Sequence, residues 1–105
     1  MTQQEIYNTI VTTVKSFLPE TRVVLFGSRA RGESNRGSDY DVLIITPNEY
    51  EGREKIEWRG RISNALVTAI NAPFDVLMNS EKEIVKNQKL PGHVIHYAMK
   101  EGVVL

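Results

Sequence analysis

The sequence predicts an α/β domain, α+β in some classifications: a small mixed sheet of three strands, with a short C-terminal fourth, packed against helices on one side. Three observations predict it. Helix-period and strand-type apolar runs alternate along the chain, Pro or Gly closes most of them, and 105 residues suffice for one core and are too few for two. Residues 1–105 therefore read as one domain.

Thr2 and Glu5 form a capping-box pair, and Ile6, Ile10, Val14 and Phe17 mark one helical face until Pro19 stops it. Arg22 to Phe26 is short, apolar and β-branched, and ends at Gly27: a buried strand followed by a turn. Residues 32–38, GESNRGS, are polar turn formers, and Asp39 to Ile45 is a second strand, closed by Pro47. From about Glu51 to Ile70, the stripe Trp58, Ile62, Ala65, Leu66, Ala69 predicts a long amphipathic helix, against which Gly60 counts about 1 kcal/mol relative to Ala. Phe74 to Met78 is a third strand, and Ser80 with Glu83 repeats the capping box before a short helix. The last helix runs from about Pro91 to Glu101 with Val94, Ile95 and Ala98 inward. Gly102 stops it, and Val103 to Leu105 supplies an edge strand.

Composition excludes several functions. Thirteen Lys and Arg balance thirteen Asp and Glu, so no global field argues for binding nucleic acid or an acidic membrane. The absence of Cys removes disulfide scaffolds, Cys-ligated zinc and thiol catalysis, and suits a reducing cytosol. No apolar run approaches the roughly 18 residues of a membrane span, and the N-terminus lacks the pattern of a secretory signal. These features read as a soluble cytoplasmic domain.

The acidic residues carry the first functional signal. Ten of the thirteen are Glu, mostly in helical segments, whereas Asp39, Asp41 and Asp75 all fall in or beside strand-like runs, where Asp is depleted. Strand alternation puts Asp39 and Asp41 on one face with Leu43 and Ile45, their Cα atoms about 7 Å apart, and Tyr40, Val42 and Ile44 on the other. Like charges so placed call for compensation. If the Phe74 strand lies beside the Asp39 strand, Asp75 joins them, and three carboxylates without Cys or nearby His suit a hard cation such as Mg²⁺ rather than zinc.

A complementary chemistry precedes them. Gly27-Ser28-Arg29-Ala30-Arg31-Gly32 combines close backbone approach, a hydroxyl at a helix start and two guanidinium groups, and between Arg22 and Arg36 four Arg face one Glu. This is a local anion site. Phosphates beside carboxylates that hold Mg²⁺ are the parts a phosphoryl or nucleotidyl transfer needs.

Gly27 to Gly32, followed by Ser38-Asp39-Tyr40-Asp41-Val42-Leu43-Ile44, closely resembles the signature of the polymerase-β-like nucleotidyltransferase superfamily, and the small size resembles its minimal nucleotidyltransferase (MNT) branch. The signature covers about residues 22–45, and Pro73 to Val76 resembles the strand that supplies the family's third carboxylate. Two departures are slight: Tyr40 stands where an aliphatic residue is commoner, and Val42 where Leu is.

The resemblance implies a polymerase-β-like fold and a mechanism. Asp39, Asp41 and Asp75 would hold two Mg²⁺ ions, Gly27 and Ser28 would bind the phosphates of ATP or another NTP, and Arg29 and Ser38 would join the nucleotide site. Asp75 would serve the attacking hydroxyl, and pyrophosphate would leave. The resemblance also implies a HEPN-domain protein as partner, in a toxin–antitoxin module where this chain adds AMP to the toxin; a homodimer stands beside that complex. Two other functions compete: a non-catalytic module that neutralises its partner by binding, and an aminoglycoside-type transferase, which the lack of a second domain weakens. Because so short a chain leaves no room to enclose an acceptor, Arg29, Arg31, the 32–38 loop and apolar residues of the last helix are expected to form a docking surface. Blander roles are expected elsewhere: His93 and His96 on a capped surface helix, Arg36 solvated, Trp58 in the core or an interface.

Overall fold

A computed structural model describes residues 1–32 and 38–105. Its elements, in chain order, are α1 (Gln3–Phe17), β1 (Arg22–Phe26), α2 (Gly27–Arg31), β2 (Tyr40–Thr46), α3 (Gly52–Ile70), β3 (Phe74–Ser80), α4 (Glu81–Asn87), α5 (Val94–Glu101) and β4 (Val103–Val104). Five of the seven residues expected to form the first long loop, Arg36 among them, lie outside the described residues.

Both capping boxes form. Thr2 accepts from the Glu5 N–H and Glu5 accepts from the Thr2 N–H, and Ser80 and Glu83 repeat the exchange at the start of α4. Ser80 also ends β3, so that strand runs two residues past the expected Met78 and passes directly into its helix. Helix α5 starts at Val94 rather than Pro91, because Gly92 adopts φ +89° and His93 takes the cap position, its ring nitrogen accepting from the Ile95 N–H at 3.1 Å. The Nδ1–H of His96 donates to the Gln88 carbonyl at 2.8 Å, so both histidines serve the fold.

The sheet order is β3-β2-β1-β4, with β2 parallel to β3 and antiparallel to β1. The expectation of helices on one side is wrong. Val42, Ile44, Val76 and Met78 pack with Ile10, Val14, Ile62 and Leu66 of α1 and α3. Leu43 and Ile45 pack with Ile84, Ile95 and Ala98 of α4 and α5 on the opposite side. The four consecutive apolar residues Val42 to Ile45 are all buried because each alternate pair needs its own cover of helices, the pattern of a central strand buried on both faces. A site on the sheet itself therefore lies at one of its ends or edges. No helix among the described residues is long and apolar enough to cross a membrane.

Candidate active site

One end of the sheet gathers the predicted residues. β1 ends at Phe26, paired with Asp41, and β3 begins beside β2 with Asp75 in register with Asp41. Register partners in a parallel pair project to the same face, and Leu43 and Leu77, next in the alternation, identify it as the face covered by α4 and α5. The sequence could state only the alternation within one strand; the pairing that puts Asp75 beside Asp41 is a long-range fact.

Asp39 stands just outside the strand. β2 opens at Tyr40, whose N–H donates to the Pro73 carbonyl at 3.0 Å, so Asp39 is an exposed residue of the approach to β2. Its charge still reaches the site. The Asp41 carboxyl is pushed above its ordinary value by burial first, then by Asp75 and then by Asp39, with Arg31 opposing.

The turn after β1 lies against this carboxylate. Gly27 has φ +74°, and a Cβ placed on it would collide with Oδ2 of Asp41 and come within 3.0 Å of its Cγ. Both the conformation and the contact demand glycine. Ser28 follows in α2, its carbonyl accepting from the N–H of Gly32, which closes this single turn in the left-handed region.

The two arginines of the turn face protein partners. Arg29 donates through Nε and Nη2 to the Ser38 carbonyl at 3.2 and 2.9 Å, and its guanidinium lies 4.2 Å from the centroid of the Tyr40 ring. Tyr40 in turn stacks on Phe74 at 5.0 Å. Arg29 thus ties the residue leading into β2 to the turn after β1, and Ser38 contributes a carbonyl to that tie. Arg31 reaches Glu101 of α5 at 3.3 Å.

Tyr40 is the residue that sequence reasoning passed over. Read as a harmless departure from the signature, it joins α2, β2 and β3 through two ring contacts, and with Gln3, Ile6, Tyr7 and Arg29 it lines a cavity of about 220 Å³. Its unusual place in the signature was the available signal.

The donors present are all hard carboxylates, and the field they create on Asp41 is the kind a divalent cation neutralises, so their chemistry fits Mg²⁺. The three share a field rather than a ready coordination centre: among the described residues, no group of three or more His, Cys, Asp or Glu is placed to hold a metal ion.

Comparison with known proteins bears on the family and the fold. The family model described as "Nucleotidyltransferase domain" matches residues 8–104. A chain in the crystal structure of a toxin–antitoxin with AMP-PNP superimposes with a TM-score of 0.67 at 19% identity, over 92% of this chain and 69% of that one. A chain from the tri-AMPylated Shewanella oneidensis HEPN toxin in complex with MNT antitoxin gives 0.65 at 17% identity, over 98% and 71%. A chain of the toxin–antitoxin MntA-HepT gives 0.64 at 18% identity, over 97% and 70%. Likeness at these identities shows a shared fold. No curated protein sequence matches the chain.

Proposed function

The chain belongs to the nucleotidyltransferase domain family, and from that premise we propose that it is a Mg²⁺-dependent transferase that moves a nucleoside monophosphate, AMP from ATP, to a hydroxyl of a partner protein of the HEPN class. The observation that carries the proposal is the meeting of the Gly27 turn with Asp41 and, in register, Asp75. A turn that binds phosphate beside paired carboxylates is what nucleotidyl transfer requires. The partner and the nucleotide are supported by the fold's likeness to chains from structures described as toxin–antitoxin, HEPN–MNT and AMP-PNP complexes.

In this reading residues 1–105 act as one catalytic domain. Gly27 lets the backbone approach the β- and γ-phosphates, and Ser28 adds a hydroxyl donor. Asp39, Asp41 and Asp75 would hold Mg²⁺, which would neutralise the triphosphate and the charge that develops on transfer. Asp75, exposed on the edge strand of the sheet, receives the proton of the attacking hydroxyl. Arg29 acts by position, fixing the segment that carries Asp39. ATP and Mg²⁺ are cytoplasmic supplies, and we assign the chain to that compartment.

A second reading has one observation in its favour. Because the described carboxylates form no ready metal-binding group, the chain would instead neutralise its partner by complex formation alone. Incubation of the partner with ATP labelled at its α-phosphate, Mg²⁺ and this chain separates the two. Covalent label on the partner, lost with Asp41→Asn, supports transfer; a tight complex that acquires no label supports the binding module.

A further inference from the structure

The two edges of the sheet are not alike. β4 closes one edge with two residues, whereas β3 forms the other with seven, and among the described residues no strand lies beyond it. Natural edges are usually blunted by brevity, Pro, Lys or a covering element. The sequence of β3, Phe-Asp-Val-Leu-Met-Asn-Ser, contains neither Pro nor Lys, and its one charge is Asp75.

Helix α3 runs beside this edge. Ile56, Arg59, Gly60 and Ser63 face residues 74–77 across an open groove of about 400 Å³. Ile56, Gly60, Ser63 and Val67 follow at helical spacing along one stripe, and Ile56 is 62% and Val67 40% exposed. Gly60 sits inside a 19-residue helix, where glycine costs about 1 kcal/mol relative to Ala. A Cβ added there would meet nothing within 4 Å, so the fold itself does not require the glycine. A chain passing alongside the helix would.

We infer that the acceptor is an extended segment of the partner protein, added as a strand along the open edge of β3, with its hydroxyl residue beside Asp75 and an acidic residue reaching Arg59. This rests on the transferase reading above. Strand alternation makes the placement specific: the residue beside Asp75 projects to the face of Asp41 and Asp75, and its neighbours project towards α3, over Gly60. The acceptor oxygen then bonds to the α-phosphorus and its proton passes to Asp75. The bond from that phosphorus to the bridging oxygen breaks, and the oxygen leaves with pyrophosphate. Arg59 forms no salt bridge among the described residues, which suits it to a partner carboxylate.

The test uses short peptides, each with one Ser, Thr or Tyr among randomised neighbours, together with α-labelled ATP and Mg²⁺. Label should enter peptides enriched in an acidic residue. Gly60→Leu should raise the KM for peptide roughly tenfold, a loss of about 1.4 kcal/mol, with unchanged affinity for ATP and an unchanged or higher Tm. Arg59→Glu should abolish the acidic preference. Equal labelling by the parent and both variants overturns the groove, as does a parent that binds ATP and labels no peptide. A dimer dissociated by Gly60→Leu would overturn it too, by making a second copy the occupant. Failure of the parent to bind ATP with Mg²⁺ overturns the transferase reading itself.

Discussion

Gly27 and Asp41 lie so close that a methyl group on the first would occupy the place of the second's carboxylate oxygen, although fourteen positions separate them in sequence. The backbone of the turn and the carboxylate of the central strand are in direct contact. Gly27→Ala should cost about 2–4 kcal/mol, combining the left-handed φ with overpacking. Urea unfolding measures it, and a change within experimental error would remove the contact from the argument. Adding Asp41→Ala should restore part of the loss, since the collision involves the carboxyl group and neighbouring substitutions couple.

Asp41→Asn should stabilise the protein in a pH-dependent way. Below the ordinary aspartate value of 3.8, the carboxyl is protonated in both folded and unfolded chains and the substitution changes little. As pH rises above 3.8, the unfolded chain releases its proton freely while the folded chain resists, because of burial and of Asp75 and Asp39. The advantage of Asn should therefore grow with pH and level off once the folded carboxyl has ionised. Glu83 behaves oppositely: its backbone hydrogen bond to Ser80 lowers its value, so it stabilises the fold above 4.5 and that gain is lost as pH falls through the folded value. Glu83 is common to both proteins and cancels from the difference in Tm. A difference that shrinks towards neutral pH would contradict the described surroundings of Asp41.

Mg²⁺ together with ATP should raise the Tm more than either alone. Ligand at a hundred times its Kd adds about 2.7 kcal/mol, which for a domain of this size is a shift of roughly ten degrees. Asp41→Asn should retain the fold and lose the response. A calorimetric titration with no heat from either ligand on folded protein would refute the metal-dependent reading.

Arg29→Lys keeps the charge and loses the two-pronged bond to the Ser38 carbonyl and the planar contact with Tyr40. The expected cost is about 1–2 kcal/mol in thermal unfolding, together with reduced transfer. Restoration of full stability by Lys would mean that charge alone is what matters there.

Gly102 ends α5 with an ordinary φ of −74°, so its requirement is one of space: a Cβ would collide with the Ala98 carbonyl oxygen and Cγ1 of Val24. Gly102→Ala should cost about 1–3 kcal/mol in chemical unfolding. A neutral result would show that α5 shifts easily against β1.

The sequence by itself determined what depends on near neighbours. Capping boxes, helical stripes and strand alternation act over two to four residues, and the Thr2–Glu5 and Ser80–Glu83 caps, the buried positions Ile10, Val14, Ile62 and Leu66, and the face of Asp41 are where those patterns put them. Helix α5, by contrast, begins at Val94 instead of Pro91, and Val94, expected inward, is exposed at the first turn of that helix. Gly27-Ser28 followed by Asp39 and Asp41 pointed to the family for the same reason, since it is a local arrangement with a chemical purpose. Tertiary structure decided what depends on distant partners. The apolar run Val42 to Ile45 is compatible with burial on one face or two, and only the packing of α4 and α5 against Leu43 and Ile45 settles it. The register of β2 with β3, which sets Asp75 beside Asp41, comes from burying two strands separated by the whole of α3. Arg29 reads as a free cation until Ser38 and Tyr40 return to meet it, and only the fold sets Gly60 beside β3, beyond which no strand lies among the described residues. Side-chain period is a property of a few adjacent dihedral angles; strand order, register and the company of a charge are set by which distant surfaces leave water together.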